Sequence, residues 1–552
     1  MSGRKILIVN LTRFGDLLQT GPTIAGLKAQ APDSQITVVA ERNFADVCEG
    51  LPGIDRIWPM DLDALGRLLL QPTTDGLTSA YGVMADEIAA LRAEGFDLAL
   101  NYSSSRMSAI LLRLIGVPDT RGWTATADGF RVIAQPWSQL FSSACLNRRQ
   151  APFNLVDYYQ RAAGVTAGPR RLQFDVPPAA HARAEAALVA AGWDGVRPLI
   201  GFQLGASRAV RRWPLAHFQA VGRALEAQLG ATIVLCGGRG ERAFADEIRA
   251  GLGTHVIDAC GRTSIAELGG LLARCDVLLT SDTGPMHMAV AVGTPVVALF
   301  FGPALPADTA PYAADQLCLH APVPCAPCDH NVTCLDPFCR DVLEPAAVVD
   351  AIVARRRDDW GAIAQAATRW PAIDWYRTTF DADGLADLER LGARPPRRHD
   401  GLRRAHRVLW KHVLLGTSLE RGGLRLPADA QAARELAAFA TGAATVAAHV
   451  DTLVASDDLA ALEDAAAQLE LCDRRLYQLG AVHEAVAMLV QVFRFQKESL
   501  EGVEVSALAA ATRRFHEDLA DRARWLAQVL DPEPAIPRQQ TAREENVHAS
   551  GG

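Results

Sequence analysis

Short apolar runs alternate with stretches of helical spacing across residues 5–102, and the same rhythm restarts near residue 199. The first block predicts strands at 5–10 (KILIVN), 35–41 (QITVVAE), 56–60 and 97–102 (DLALNY), with helices at 15–31, 43–51 and 83–95. Residues 62–82 and 119–150 break the alternation and read as insertions or loops, which on such a scaffold often face substrate. A helix at 153–164 leads into TAGPRRLQFDVPPAA, a Pro- and Gly-bearing stretch expected to link two domains. The second block predicts strands at 199–204, 231–236, 255–259, 276–281 and 295–301, with helices at 214–229, 240–251, 265–274 and 284–293. Ser264 with Glu267 three residues later is a capping-box pattern at the start of the third of these helices.

Apolar strands alternating with helices imply parallel sheets covered on both faces. The expected fold class is therefore α/β, with two doubly wound, Rossmann-like domains at 1–170 and 180–353. After about residue 345 the strand signal stops, and Ala, Leu, Arg, Glu and Gln at helical spacing predict an all-α extension over 376–531. Residues 532–552 lack apolar content and read as disordered.

A chain of 552 residues is too long for one core, and three domains fit its length. With Lys+Arg 55 against Asp+Glu 63 the net charge is −8, so no global basic field recommends nucleic acid as a partner. The start, MSGRKILIVNLTRFGD, sets positive residues ahead of an apolar run, but Arg13 and Asp16 break that run short of signal-peptide or membrane-span length. A cytoplasmic location is expected. Most of the 11 cysteines lie in apolar segments, as reduced core thiols would. Cys325, Cys328, Cys334 and Cys339 instead form C-x2-C-x5-C-x4-C within CAPCDHNVTCLDPFC. Four thiols in one loop suit Zn or iron, although the spacings are shorter than in a zinc ribbon; reduced or disulfide-capable thiols are the other reading.

The segment TSDTGPMHMAVAVGTPVVALFFGP, 280–303, ends an expected strand at Ser-Asp-Thr-Gly-Pro and opens a helix at once. Ligands gather at the carboxyl ends of parallel strands, and the free N–H groups of a helix N-terminus attract phosphate. Thr283 supplies a hydroxyl and an N–H, Gly284 allows close approach, and Asp282 and His287 flank them, so the stretch reads as a diphosphate cradle. The plainer alternative is that Asp282 or Thr283 caps the helix and His287 packs against a neighbour. The first loop, NLTRFGDLLQTGP, lacks the G-x-G-x-x-G of a dinucleotide site. It presents Asp16 at a strand end, either as a base for a substrate hydroxyl or as an ordinary first-turn carboxylate. A third piece, GASRAVRRWP at 205–214, holds Arg208, Arg211 and Arg212 in a loop at the cleft face, where they clamp phosphates or are simply solvated.

In this order on a doubled α/β scaffold, these motifs resemble the ADP-heptose:lipopolysaccharide heptosyltransferases, glycosyltransferase family 9, whose fold is GT-B. The matching pieces are ILIVNLTRFGDLLQTGPTIAGLKAQAPDSQITVVAE (6–41), FDLALNYSSSRMSAILLRLIGV (96–117), IGFQLGASRAVRRWPLAHF (200–218) and LLTSDTGPMHMAVAVGTPVVALFFGP (278–303). The resemblance implies an inverting glycosyltransferase that needs no cofactor, with an ADP-heptose-like donor and a lipopolysaccharide-core or lipid-linked acceptor. It makes Asp16 the general base and puts the diphosphate on Thr283 and Gly284, with Asp282 and His287 nearby. Arg211 stands where the family usually has a lysine, which keeps the charge and changes its geometry. CGGRGERAFADEI at 236–248 matches the nucleotide-side loop, making Glu241 a candidate ribose or base contact. No Asp-x-Asp at an expected strand end compels a divalent ion. A protein acceptor, a sugar-nucleotide epimerase and a non-enzymatic binding module are the alternatives. Arg106, Arg113, Arg121, Arg131, Arg148 and Arg149 are acceptor-side candidates or a dispersed solvated surface. In the extension, LRRAHRVLWKHVLL at 402–415 mixes basic and apolar residues, which suits an anionic membrane surface or a helical bundle.

Overall fold

The computed structural model describes residues 3–70, 73–253, 255–329, 332–420, 425–454, 456, 458–500 and 504–531; the tail 532–552 lies outside them. The apolar runs of the first block form β1 (Lys5–Asn10), β2 (Gln35–Glu41), β3 (Arg56–Met60), β4 (Leu98–Asn101) and β5 (Asp119–Gly122). They pair in parallel in the order β3–β2–β1–β4–β5. Around them lie α1 (Phe14–Gln30), α2 (Leu62–Leu69), α3 (Thr74–Ala93), α4 (Arg106–Ile115), α5 (Pro136–Leu146) and α6 (Leu155–Ala163). Successive residues of β1 serve opposite faces: Ile6 and Ile8 pack toward α1 and α6, Leu7 and Val9 toward α3 and α4.

Two stretches expected to be loops are ordered. Within 62–82, residues 62–69 form α2 and 74–82 the start of α3, each with a side-chain N-cap: Asp61 Oδ1 accepts from Ala64 N at 2.7 Å and Thr73 Oγ1 from Gly76 N at 3.1 Å. Only Gly76, Ala80 and Leu91 of α3 are buried, so it shows no continuous apolar stripe. Residues 119–150 supply β5, a small hairpin of β6 (Thr124–Ala125) and β7 (Arg131–Val132), and α5. The helix expected at 43–51 is a tight 3-10 helix, Arg42–Gly50.

After α7 (Pro178–Ala190) the second sheet runs through β8 (Leu199–Gln203), β9 (Thr232–Cys236), β10 (Val256–Asp258), β11 (Val277–Ser281), β12 (Val296–Phe300) and β13 (Leu317–His320). Its helices are α8 (Leu215–Leu229), α9 (Arg242–Ala250), α10 (Ile265–Leu272), α11 (Gly284–Ala291), α12 (Pro306–Thr309), α13 (Pro345–Arg356) and α14 (Trp360–Arg369). The capping box of α10 forms, with Glu267 N donating to Ser264 Oγ and Ser264 N to Glu267 Oε2. The two α/β units meet where α1 packs on α11 and share one apolar cluster, in the GT-B arrangement.

The strand signal, expected to end near 345, resumes. β14 (Asp374–Phe380) and β15 (Ala386–Leu391) extend the sheet antiparallel, in the order β10–β9–β8–β11–β12–β13–β14–β15. DWYRTTF and ADLERL carry charges because Asp374, 1% exposed, sits inside a ring of Arg390, Arg394 and Arg397. That pairing is invisible to periodicity.

The chain ends in α15 (Arg398–Leu415), α16 (Pro427–Val454), α17 (Leu459–Val482), α18 (Glu484–Glu498) and α19 (Val505–Leu530). Leu402, Leu409 and Trp410 of α15 join Leu436, Phe493 and Leu526 in one core, so the apolar side of 402–415 faces the bundle. That core also takes in Trp137, Leu140, Phe153 and Tyr158 from the first unit. Among the described residues, α16 alone is long and apolar enough to cross a membrane by length and composition; it packs along α19.

Arg407, 2% exposed, fastens α15 to the strands: it donates to Asp381 Oδ2 at 2.7 Å and Pro152 O at 2.9 Å, and faces Asp387 at 3.5 Å. Without Arg407, Asp381 keeps Lys411 at 3.0 Å and Asp387 keeps Arg404 at 3.0 Å, so neither carboxylate is stranded. Arg407→Ala is expected to lower stability by about 1.5–3 kcal/mol, the worth of a hydrogen bond to a charged group, read from the denaturant midpoint of the whole chain; an unchanged midpoint would show that the network contributes nothing.

Candidate functional site

Two helix N-termini meet where the sheets reverse strand order, at the carboxyl ends of β1 and β11. In α11 the N-cap residue Thr283 is extended (φ −146°, ψ 167°) and makes no side-chain cap. Its Oγ1 instead lies 3.2 Å from Thr280 Oγ1 and 3.3 Å from the Ser281 carbonyl oxygen. Capping by Asp282 is also absent, because Arg211 holds it: Nη2 is 3.0 Å from Oδ2 and 2.5 Å from the Asp282 carbonyl oxygen. In the first turn Pro285 has no N–H and the Met286 N–H donates to the Thr283 carbonyl oxygen at 3.1 Å, so the Thr283 and Gly284 amides are the ones outside these contacts. His287 is 3% exposed, and burial pushes its imidazole down to about 4, with Asp282 opposing and Arg211 adding to the shift. It is neutral at physiological pH.

Opposite, α1 starts at Phe14 and puts Asp16 in its first turn. Buried Asn10 fixes that turn, its Nδ2 donating to the Asp16 carbonyl oxygen at 3.2 Å and to Thr20 Oγ1 at 2.9 Å. Burial holds the Asp16 carboxyl above the usual range; the Arg13 N–H and Thr12 hydroxyl pull it down, and Asp282 across the cleft pushes it up. The two helices nearly touch. A methyl on Gly15 would lie 3.2 Å from Gly284 Cα and from His287 Cδ2, and one on Gly284 would lie 2.1 Å from Phe14 Cδ1. Asp16 thus sits next to the point where α1 touches the start of α11, close enough for Asp282 to act on its carboxyl.

Glu241 lies at the carboxyl edge of β8 and β9, where its Oε2 accepts from Gly238 N at 2.5 Å and a methyl on Gly205 would come within 2.5 Å of its Oε1. Arg212 lies over the Phe244 ring at 4.8 Å, and Arg208 is exposed in the same loop. The six acceptor-side arginines do not converge. Arg121 is tied to Asp119, Arg131 lies over Trp123, and Arg106 and Arg113 face solvent. Arg148 crosses to the second unit, reaching Asp308 Oδ2 at 2.8 Å and the Pro303 carbonyl oxygen at 2.6 Å.

Among the described residues no three His, Cys, Asp or Glu side chains are grouped to hold a metal. Cys325 and Cys334 are exposed, Cys328 is half-buried and Cys339 is buried. Burial, then the thiols of Cys325, Cys339 and Cys334, raise the Cys328 thiol above its ordinary value. The four cysteines therefore lie near one another, and among the described residues they form no ligand set. Asp381 and Asp383, an Asp-x-Asp pair at the end of β14, are engaged by Arg407 and Lys411.

Phe14 was not among the expected site residues. Its only signal is an apolar residue between Arg13 and Gly15 at a helix start, since its partner lies far along the chain.

The family model for glycosyltransferase family 9 (heptosyltransferase) matches residues 86–338. The chain is 27% identical over 323 residues to lipooligosaccharide heptosyltransferase 2 of Haemophilus ducreyi, covering 56% of this chain and 86% of that one. It is 25% identical over 333 residues to lipopolysaccharide heptosyltransferase 1 of Pseudomonas aeruginosa, covering 59% and 86%. Among solved structures, the E. coli ADP-heptose lps heptosyltransferase II aligns with a TM-score of 0.48 and 20% identity, over 64% of this chain and 99% of that one.

Proposed function

We propose, from the premise that this chain is a glycosyltransferase whose residues 86–338 belong to glycosyltransferase family 9, that it moves heptose or a related sugar from ADP-heptose to a lipopolysaccharide inner-core acceptor. The relatives act, by their names, on lipopolysaccharide or lipooligosaccharide. The observation that supports the reading is the approach of Gly15, beside Asp16, to Gly284 and His287 at the start of α11, with Asp282 acting on the Asp16 carboxyl. Asp16 takes the proton of the acceptor hydroxyl as that oxygen attacks the anomeric carbon, and the bond from that carbon to ADP breaks. The charge released onto the diphosphate is met by the Thr283 and Gly284 amides and by Arg211, with Glu241 on the nucleoside side. Neutral His287 adds no cation and holds the α1–α11 contact. One displacement inverts the anomeric centre. Lipopolysaccharide as acceptor places the enzyme in the cytoplasm, working at the inner-membrane face.

Transfer is read as cofactor-free. Zinc and iron content is accordingly expected to be the same in Cys325→Ser as in the parent, by elemental analysis; a drop of one metal per chain would assign the cysteines to it. The reaction itself is tested by ADP release from ADP-heptose with truncated lipopolysaccharide or a protein acceptor. Release with lipopolysaccharide alone is expected. Release only with protein would move the acceptor class, and conversion of the donor with no acceptor would favour an epimerase.

A further inference from the structure

A pocket open to solvent lies where the extension meets both α/β units. Its lining includes Arg149 from the first unit, His320 and Pro306 from the second, and Arg397, His399 and Arg403 around the start of α15. Three arginines face one lining carboxylate, Asp400, which Arg390 already holds at 2.6 Å. Arg397 is spent on Asp374 at 2.8 Å, and Arg403 lies 3.9 Å from Asp387. Arg149 meets the Pro324 carbonyl oxygen at 2.9 Å and, among the described residues, no carboxylate. Positive charge is in excess.

His320 supplies an independent sign of a ligand. It is 3% exposed, its Nδ1 faces Asp374 at 3.5 Å, and its Nε2 has no partner. An unmet polar atom at that depth costs stability unless something fills it. Burial keeps the ring neutral, so with its proton directed to Asp374 the free Nε2 accepts from a hydroxyl. Leu305, Pro306 and Leu388 add an apolar wall. Cations, an acceptor nitrogen and an apolar wall together match a sugar bearing an anionic group.

We propose that this pocket binds a phosphate- or carboxylate-bearing sugar of the acceptor, with the anion on Arg149 and Arg403 and a sugar hydroxyl on His320 Nε2. The assignment to the acceptor rests on the transferase reading above. The pocket's Pro306 and Ala307 belong to α12, whose Asp308 pairs with Arg148 at 2.8 Å.

The test uses the whole chain with saturating ADP, so that the cradle is occupied, and follows the melting temperature as inorganic phosphate replaces chloride at constant ionic strength. The parent is expected to show a saturable rise. The Arg149→Gln/Arg403→Gln variant is expected to need about tenfold more phosphate, because charge-assisted hydrogen bonds are lost. Its KM for truncated lipopolysaccharide should rise about tenfold while KM for the donor stays at the parent value. Arg149→Gln alone, which gives up one carbonyl contact, guards against misfolding of the double variant and should shift both quantities in the same direction. No phosphate response in the parent, or the same response in the variants, overturns the site. A weakened phosphate response with unchanged acceptor KM overturns the acceptor assignment and leaves a site for free phosphate. Absence of transfer by the parent would count against the transferase reading alone, because the phosphate titration needs no turnover.

Discussion

Asp16→Asn is expected to slow transfer by about 10²–10⁴-fold while ADP binds as it does to the parent. The amide keeps the shape and the hydrogen bond from the Arg13 N–H, but it takes no proton. Burial raises the Asp16 carboxyl above its ordinary value of 3.8, which gives the parent a pH signature. The base works only when ionised, so kcat/KM should climb with pH through a limb displaced upward from that value and flatten above it. Single-turnover rates across pH check both points. A variant with parent rates, or one retaining the same acid limb, would remove Asp16 from the chemistry.

Gly284→Ala is the other substitution with a large expected effect. The added methyl would sit 2.1 Å from Phe14 Cδ1, so the ring or the whole of α1 has to retreat by an ångström or more. Displacements of about 1 Å in a reacting constellation cost on the order of 100-fold in rate, and a loss of that size in kcat/KM is expected. Phe14→Ala in the same chain relieves the contact and should recover much of it. If the double variant is no better than Gly284→Ala alone, the defect lies in the backbone of the cradle and not in the approach of the two units.

Much of this site is legible in the residues because its parts are local. Apolar runs such as KILIVN and VLLTS can only be strands buried on both faces, and a glycine with a small polar residue directly after such a strand marks a helix mouth. Strands β14 and β15 escape notice because their charges are matched by partners elsewhere: buried Asp374 forms ion pairs with Arg390 and Arg397. The same reason hides the first half of α3, where Gly76 and Ala80 alone are buried, whereas its second half falls within the expected helix 83–95. Capping of α11 is a fair alternative from local sequence, and it fails because Arg211 claims Asp282 while the Thr283 hydroxyl turns to Thr280 and the Ser281 carbonyl oxygen.

The terminal helices have a mechanical consequence. They are continuous in the chain with β15, and hence with the sheet that carries α11, while their apolar core is shared with α5 and α6 on the opposite lobe. A swing that parted the lobes would have to shear packed Trp137 and Phe153 away from Trp410 and Leu436, or bend the sheet itself. The bundle is thus a brace across the hinge, and loading and release of ligands must proceed by small slips and not by wide gaping.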